Sequence, residues 1–175
     1  INGDGYDDLI IGAYGADPNG SYSGSSYVVF GKASAFASTV NLSTLNGTTG
    51  FRLDGEATGD RSGSSVSSAG DINGDGYDDL IIGARKADPN GSNSGSSYVV
   101  FGTGNAFAST VNLSTLDGTN GFRLDGEAAN YSSGKSVSSA GDINGDGYDD
   151  LIIGANYADN NGSNSGSSYV VFGTG

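Results

Sequence analysis

The stretch Gly70–Ala84 reads GDINGDGYDDLIIGA and joins a glycine-rich acidic segment to a short apolar run. The same letters return at Gly141–Ala155, and a third copy without the first two residues opens the chain at Ile1. Four acidic side chains fall within nine consecutive residues of the stretch. Asn-Gly and Asp-Gly pairs are common turn formers, so the stretch is either a polar turn or a metal-binding loop that leads into a strand.

The whole chain repeats with the same offset, which is 71 residues. Residues 1–71 and 72–142 differ at 13 positions, and residues 143–175 differ from 72–104 at three. The chain of 175 residues is therefore two full periods followed by 33 residues. Self-similarity at a fixed period of this kind indicates repeated structural units.

Each period holds four short apolar segments separated by clusters of Gly, Ser, Asn and Asp, which predict four β-strands. In the central period the strands are expected near 65–69, 79–83, 97–101 and 121–125. The second of them is continuously apolar, as expected for a strand that is covered on both faces. No window has the period of an amphipathic helix, so the chain is predicted to be all-β.

A 71-residue unit of four antiparallel strands fits a β-propeller blade better than a solenoid coil, whose repeats are usually shorter. The sequence predicts about 2.5 blades in an incomplete ring. A partial blade with strands 2–4 is expected over residues 1–57, a complete blade over 58–128, and a partial blade with strands 1–3 over 129–175. Such a segment would continue in a longer chain, assemble with other copies or stack as an open array.

Composition narrows the possible functions. The net charge of −13 argues against nucleic acid or an anionic membrane surface as a partner, and no apolar run is long enough to predict membrane insertion. Cys, His and Met are absent, which excludes disulfides, thiolate sites and catalysis by Ser-His-Asp or Cys-His groups within this sequence. The composition suits a secreted or surface protein that is not an enzyme, and its clustered carboxylates favour hard cations.

Oxygen-bearing groups occur at every second position of the acidic segment. Calcium takes about six to eight oxygen ligands, and the loop glycines would let the backbone turn tightly around the ion. The predicted calcium ligands, with the three tyrosines acting through their carbonyl groups, are Asn2, Asp4, Tyr6 and Asp8, then Asp71, Asn73, Asp75, Tyr77 and Asp79, then Asp142, Asn144, Asp146, Tyr148 and Asp150. The first copy lacks the leading Asp and is expected to bind weakly unless another residue supplies it.

An EF-hand loop starts in the same way, but it needs a bidentate Glu at position 12 and a helix on each side. Position 12 here is Ile82 or Ile153, inside an apolar strand, so a calcium loop between two β-strands is predicted instead. Mg²⁺ is less favoured because it keeps several waters and requires octahedral geometry. The adjacent Asp7, Asp78 and Asp149 are expected to point away from the ion and to be solvated.

The run from Gly134 to Ala155, GKSVSSAGDINGDGYDDLIIGA, resembles the FG-GAP repeat, and the resemblance extends over the whole chain. That repeat builds the propeller head of integrin α subunits and is widespread in bacterial surface and secreted proteins. The resemblance implies that the family's calcium ligands correspond to the five loop positions. The near-identity of the copies resembles a bacterial tandem array more than an integrin.

Two positions depart from the family pattern. The Phe of its "FG" is Ser62 or Ser133 here, and the Pro of its "GAP" is replaced by Tyr14, Arg85 or Asn156. Losing that Phe would loosen the packing near strand 1.

Differences between the copies concentrate in two connections that an antiparallel meander places on one edge. Residues 14–15 change at 85–86 and again at 156–157, and residues 58–61 change at 129–132. In integrin-like propellers the face away from the calcium loops carries ligands, so these residues are candidates for binding a protein or a glycan. The alternative is that surface loops drift freely after duplication.

Three functions remain open. The leading one is a calcium-binding, non-catalytic propeller segment used in adhesion or as a structural repeat. The second is a self-assembling extracellular protein that forms rings or fibres through its incomplete blades. The third is a glycan-binding or hydrolase-associated propeller whose catalytic residues lie outside this sequence. The carboxylate pairs Asp54/Glu56 and Asp125/Glu127 could suggest glycoside hydrolysis, but the LDGE segment more simply ends a strand in a turn.

Overall fold

The computed structural model describes residues 1–175 as eleven β-strands and two single-turn 3₁₀ segments. The strands, in chain order, are β1 Leu9–Ala13, β2 Ser25–Val29, β3 Gly50–Asp54, β4 Ser65–Gly70, β5 Asp79–Ala84, β6 Ser96–Val100, β7 Thr110–Asn112, β8 Gly121–Asp125, β9 Ser136–Gly141, β10 Asp150–Ala155 and β11 Ser167–Val171. The 3₁₀ segments are Leu42–Thr44 and Leu113–Thr115. Neither is long enough to cross a membrane.

The strands form three separate sheets. The first blade contains β1, β2 and β3, the second contains β4, β5, β6 and β8, and the third contains β9, β10 and β11. Neighbouring strands within each blade are antiparallel, in the order of the sequence. The prediction of an all-β chain of propeller blades in an incomplete ring is confirmed.

The four strands of the second blade lie within one residue of their predicted positions, because each apolar segment is bounded by turn residues. Strand β5 pairs with β6 through Leu80 opposite Val100 and Ile82 opposite Tyr98. Its pairing with β4 shifts register between Ser68 and Gly70, and the third blade repeats this irregularity. The shift falls where the chain leaves strand β4 and enters the acidic loop.

Alternate residues of β5 face different blades. Leu80, Ile82 and Ala84 pack against the first blade, where they lie in one apolar cluster with Phe51 and Leu53 of β3. Ile81 instead packs against Leu151 and Ile153 of the third blade. Every residue of β5 is buried, so the predicted coverage of both faces is confirmed for this strand.

The prediction of two-sided coverage is wrong for the equivalent strands at the two ends. In β1, Leu9 and Ile11 are 60% and 38% exposed, and in β10, Ile152 is 39% exposed. These strands carry the same apolar letters as β5, but each has a neighbouring blade on one face only.

The sequence did not predict strand β7. It lies in the connection between β6 and β8, yet it pairs in parallel with β3 of the first blade through Thr110–Asn112. Phe107, just before it, stacks on Phe51 with ring centroids 4.3 Å apart. The equivalent residues 39–41 form no strand, because no blade lies beside them to provide the pairing edge.

Candidate metal-binding loops

In the second and third blades the acidic loop connects the first strand to the second, and in the first blade the acidic loop precedes β1. In the second blade the loop runs from the end of β4 to Asp79, and its tip is exposed. Gly74 and Gly76 have φ values of 73° and 89°, a conformation that glycine adopts at little cost. The third loop repeats these angles at Gly145 and Gly147, with 78° and 92°. The two complete loops therefore share one backbone shape.

The leading aspartate holds this shape. The Oδ1 atom of Asp71 accepts hydrogen bonds from the N–H groups of Gly74 and Asp75, at 2.7 and 3.1 Å. Its Oδ2 atom accepts a third from Gly76, at 2.9 Å. Asp142 makes the same three bonds to its own loop, at 2.7, 3.1 and 2.9 Å. The leading aspartate of each complete loop therefore holds three consecutive segments of its backbone together.

The middle of the loop is organised by a pair of side chains. Asn73 Oδ1 accepts from the N–H of Asp75, and Asn73 Nδ2 donates to Asp75 Oδ2, both at 3.0 Å. Asp75 Oδ1 accepts from the N–H of Tyr77, at 2.9 Å. The pattern recurs in the third loop at Asn144 and Asp146, and in the first loop at Asn2 and Asp4. The middle segment of all three loops therefore has the same hydrogen-bond pattern.

The last aspartate of the loop is fully buried. Asp79 Oδ2 accepts from the N–H of Ile72 at 3.1 Å, and its Oδ1 accepts from the N–H of Gly102 at 2.8 Å. It therefore ties the start of the loop to the end of β6. Asp150 makes the matching bonds to Ile143 and Gly173, and Asp8 makes those to Ile1 and Gly31.

The charge of Asp79 has no basic side chain to balance it. Burial raises the pKa of Asp79 to about 7, while the hydrogen bonds from Gly102 and Ile72 act in the opposite direction. The carboxylates of Asp75 and Asp71 raise the pKa further. The three acidic groups of one loop therefore lie near enough to repel one another, which a bound cation would relieve.

The loop tyrosines offer a backbone carbonyl as a possible ligand, and two of their rings pack against a neighbouring loop. The backbone carbonyls of Tyr6, Tyr77 and Tyr148 accept no backbone hydrogen bond, so they keep free lone pairs. The Tyr77 ring lies directly against Gly3, and the Tyr148 ring lies against Gly74. A side chain at either glycine would overlap the ring. The second and third loops thus each pack on the loop of the preceding blade.

The prediction that Asp149 is solvated is wrong. Its Oδ2 atom accepts a hydrogen bond from the N–H of Asp71 at 2.9 Å, and its own N–H donates to the Asp71 carbonyl at 3.1 Å. It therefore joins the second and third loops. Asp7 and Asp78 are exposed, as predicted.

The donor set fits a hard cation, but the loop side chains are directed to N–H groups. Each complete loop offers three carboxylates, one amide oxygen and one free carbonyl, and the chain has no Cys, His or Met to favour a softer metal. No three acidic side chains lie close enough together to form a metal-binding group. The assignment of the fourteen loop residues as calcium ligands stays a prediction.

The carboxylates considered for hydrolysis have structural partners. Asp54 accepts hydrogen bonds from Ser25 and Arg52 at 3.0 and 2.7 Å, and Glu56 accepts from the Tyr98 hydroxyl of the second blade at 2.7 Å. Arg123 also pairs with Glu56, at 3.0 Å. Glu56 therefore links two blades, a role that the sequence did not indicate because its partner lies 42 residues away.

The variable connections do lie together on the edge opposite the acidic loops. The N–H of Gly59 donates to the carbonyl of Ser21, which brings the connections of the first and second blades into contact. The Arg61 guanidinium lies 5.5 Å from the ring centre of Tyr22, and the N–H of Lys86 donates to the Asp60 carbonyl. Basic and aromatic side chains are thus presented on one edge.

The fold and the loops can be compared with known proteins. The sequence model of the FG-GAP repeat matches residues 1–29, 62–100 and 133–171, which together make up more than half of the chain. Each match contains one acidic loop and the two strands that follow it. Integrin alpha-PS5 of Drosophila melanogaster is 30% identical over 155 residues, which cover 89% of this chain but only 14% of that relative.

Proposed function

We propose, from the premise that this chain belongs to the FG-GAP repeat family, that its complete acidic loops each bind one calcium ion. The chain is an adhesion-type propeller repeat, similar over most of its length to part of an integrin α subunit. On this proposal it is a calcium-stabilised, non-catalytic segment of a secreted or cell-surface protein.

One observation carries the proposal. In both complete loops an aspartate wrapped by three N–H groups precedes an Asn–Asp pair, and a buried aspartate without a basic partner follows. A plain turn needs one capping carboxylate, whereas this loop concentrates three. Like charges at this density cost stability unless a cation neutralises them, which supports a metal site over a polar turn.

The residues that would hold the ion are those at alternate positions of each loop. Asp71, Asn73 and Asp75 would supply side-chain oxygens, Tyr77 its free carbonyl, and Asp79 a buried carboxylate. Bound calcium would supply two positive charges to a loop that carries three acidic side chains at these positions. Asp79 also bonds to Ile72 and Gly102, so the ion would offset the cost of burying the carboxylate that joins the loop to the segment after β6.

An extracellular setting would suit the proposed calcium sites. Calcium sites of extracellular modules work at dissociation constants of roughly 10⁻⁴ to 10⁻³ M, where cytosolic calcium would leave them empty. The similarity to an integrin α subunit supports a cell-surface or secreted setting. A protein or glycan ligand would bind at the variable edge, where Arg61, Tyr22 and Lys86 are presented.

Isothermal titration with calcium at pH 7.4 tests the proposal. We expect two sites per chain, and fewer and weaker sites in the variant D75N/D146N, which removes one charge from each complete loop. The matched control is D78N, which removes an exposed charge beside the loop that makes no hydrogen bond. Absence of calcium binding at millimolar concentration would refute the proposal, and equal effects of the variant and the control would refute the ligand assignment.

A further inference from the structure

A small groove lies between the first and second blades, on the edge opposite the acidic loops. It is lined by Tyr22 of the first blade, by Arg61 of the connection between β3 and β4, and by Lys86 and Asp88 of the second blade. Its volume is about 280 Å³, and Tyr22 is its one apolar side chain. Both blades that form the groove are present, and all its lining residues fall within 22–93.

Two cations in the groove have no carboxylate partner. The chain has seven Lys and Arg residues against 20 Asp and Glu, and Arg52 and Arg123 are held in ion pairs. Arg61 and Lys86 make no ion pair. The N–H of Lys86 donates to the carbonyl of Asp60, which keeps the two cationic segments side by side. Two unpaired cations in one small concave site attract an anion.

The backbone at this groove does not favour the residues that occupy it. Tyr22 and Arg61 have φ values of 55° and 57°, in the left-handed region that bulky side chains rarely adopt. One period later the same two positions are Asn93 and Ser132, with φ values of 52° and 55°, so the backbone shape requires neither Tyr nor Arg. Tyr22 also belongs to neither apolar cluster, so core packing does not account for its ring.

Tyr22 and Arg61 form a pair that is held in place before any ligand arrives. The Arg61 guanidinium lies 5.5 Å from the ring centre of Tyr22, and the N–H of Arg61 donates to the Tyr22 carbonyl at 3.0 Å. The N–H of Tyr22 donates to Asp17 Oδ1 at 2.7 Å. A fixed guanidinium loses little freedom when it binds a carboxylate through two parallel hydrogen bonds. Lys86 would add a second positive charge.

The rest of the groove suits hydroxyl groups better than apolar side chains. Asp88 Oδ1 accepts from the N–H of Asn93 at 2.6 Å, and Asp88 Oδ2 accepts no hydrogen bond. Thr58 and Asn93 add further polar groups to the lining. An acidic peptide would bring its carboxylates close to Asp88 and offer few hydroxyl groups. A sugar acid could place its carboxylate at Arg61 and its hydroxyl groups at Asp88 and Asn93.

We propose, resting on the proposed function for the presence of a ligand at the variable edge, that the groove binds a sugar that carries a carboxylate, a uronic acid unit of a glycan. The acidic loops lie on the opposite edge, so this binding needs no calcium. At the joint between the second and third blades, the positions of Tyr22, Arg61 and Lys86 carry Asn93, Ser132 and Tyr157. That joint has neither cation, so one site is expected in this sequence.

Amide chemical shifts of the ¹⁵N-labelled chain, measured by NMR in 150 mM NaCl, test the proposal. The probes are sodium glucuronate, glucose and sodium acetate, which carry both chemical groups, the hydroxyls alone and the carboxylate alone. We expect glucuronate to shift the amides of Gly59, Arg61 and Lys86 in a saturable way. It should bind at least about tenfold more tightly than glucose or acetate, because each of these makes only part of the contacts.

The chain itself supplies the variants. Y22N/R61S and K86Y give each position the residue found one period later, where the backbone has the same shape at the first two positions, so folding is preserved. Each variant should weaken glucuronate binding at least about tenfold. The matched control is R85N, which removes a charge beside Lys86 and introduces the residue of Asn156, outside the groove. It should change binding much less, because salt screens charges that do not touch the ligand.

Four results would overturn the proposal. They are the absence of saturable shifts with glucuronate in both EDTA and 5 mM CaCl₂, equal binding of acetate and glucuronate, equal losses in R85N and Y22N/R61S, and tighter binding of an acetylated aspartate tripeptide than of glucuronate. The last result would make the groove a peptide site. Calcium binding to the loops is measured separately by calorimetry, so it can fail while these shifts persist, and the shifts can fail while calcium still binds.

Discussion

At the scale of single residues, aspartates perform several different tasks in this small acidic chain. Asp79 is buried and bonds to the backbone at two distant points, whereas Asp78 beside it is exposed. Asp149 bridges two loops, and Asp60 is buried at the opposite edge of the blades. The sequence distinguishes the loop positions by their spacing, but only the fold shows which carboxylates face another blade.

The burial of Asp60 predicts how the stability of the fold depends on pH. It is 8% exposed, and burial raises its pKa to about 6, with further upward contributions from Glu56 and Asp88 and an opposing hydrogen bond from Ala57. The folded state therefore holds this proton more tightly than the unfolded chain. Its contribution to stability is present below pH ~4 and is lost as the pH rises to about 6.

We expect D60N to be more stable than the unchanged chain at pH 7 and to lose this advantage at pH 4. The amide is neutral at both values, and its oxygen can still accept from Ala57. Urea unfolding of both proteins at pH 4, 5, 6 and 7 measures the difference. D78N is the control, because its exposed side chain should show no such trend. A stability difference that is independent of pH would contradict the assignment.

At the scale of elements, the sequence predicts the strands whose cause is local and misses those whose cause is a neighbour. The run DLIIGA, with its flanking turns, is enough to place β5. Strand β7 has only three residues and exists because β3 of another blade offers a parallel edge, so no local pattern reveals it. The exposure of Leu9 also depends on its neighbours. Leu9 and buried Leu80 occupy the same position of identical sequence segments, but only Leu80 has a blade packed against it.

The acidic loops could be predicted as far as their repeated shape but not in their links between blades. Alternating Asp and Asn with intervening glycines indicated a tight loop, which Asp71 and Gly74 form. The bond from Asp71 to Asp149 joins residues 78 positions apart. The contact of Tyr148 with Gly74 also joins two loops that are far apart in the sequence. Such contacts depend on how the blades are arranged, which spacing within one loop does not encode.

One pair of equivalent residues tests the effect of blade packing. Ile81 is fully buried between the second and third blades, and Ile152 is its counterpart with 39% exposure. We expect I81A to lower the free energy of unfolding by ~2–5 kcal/mol, through lost burial and the cavity left behind. I152A should cost less than about 1 kcal/mol, since less area leaves the solvent on folding.

Chemical unfolding of both variants at low protein concentration measures these values. The two substitutions delete the same atoms from the same strand position, so propensity and chemistry are matched. Equal losses of stability would mean that the interface between the second and third blades does not form in solution as described. A large loss in I152A alone would show that its face is covered in the isolated chain.

At the scale of the whole molecule, charge and architecture act against each other. Packing the blades side by side places the acidic loops on one edge, where each loop touches the next through Asp149 and the tyrosine rings. The net charge of −13 is therefore not evenly spread. Simple salt should stabilise the fold by screening, but a cation bound in the loops would act more strongly, because it contacts the carboxylates directly.

Thermal unfolding separates these two effects. We expect 5 mM CaCl₂ to raise the melting temperature more than NaCl of equal ionic strength, and more than 5 mM MgCl₂. A ligand present at about 100 times its dissociation constant stabilises the folded state by ~2.7 kcal/mol per site, so two filled sites would give a shift of several degrees. EDTA should reverse it.

The variant D75N/D146N should retain the response to NaCl and lose most of the additional response to calcium, whereas D78N should keep both. This contrast matters because removing any carboxylate from an acidic edge reduces repulsion and can raise stability by itself. If calcium and NaCl shift the melting temperature equally at matched ionic strength, the loops act only as a diffuse negative surface. A response that survives in D75N/D146N would place the bound cation elsewhere on the acidic edge.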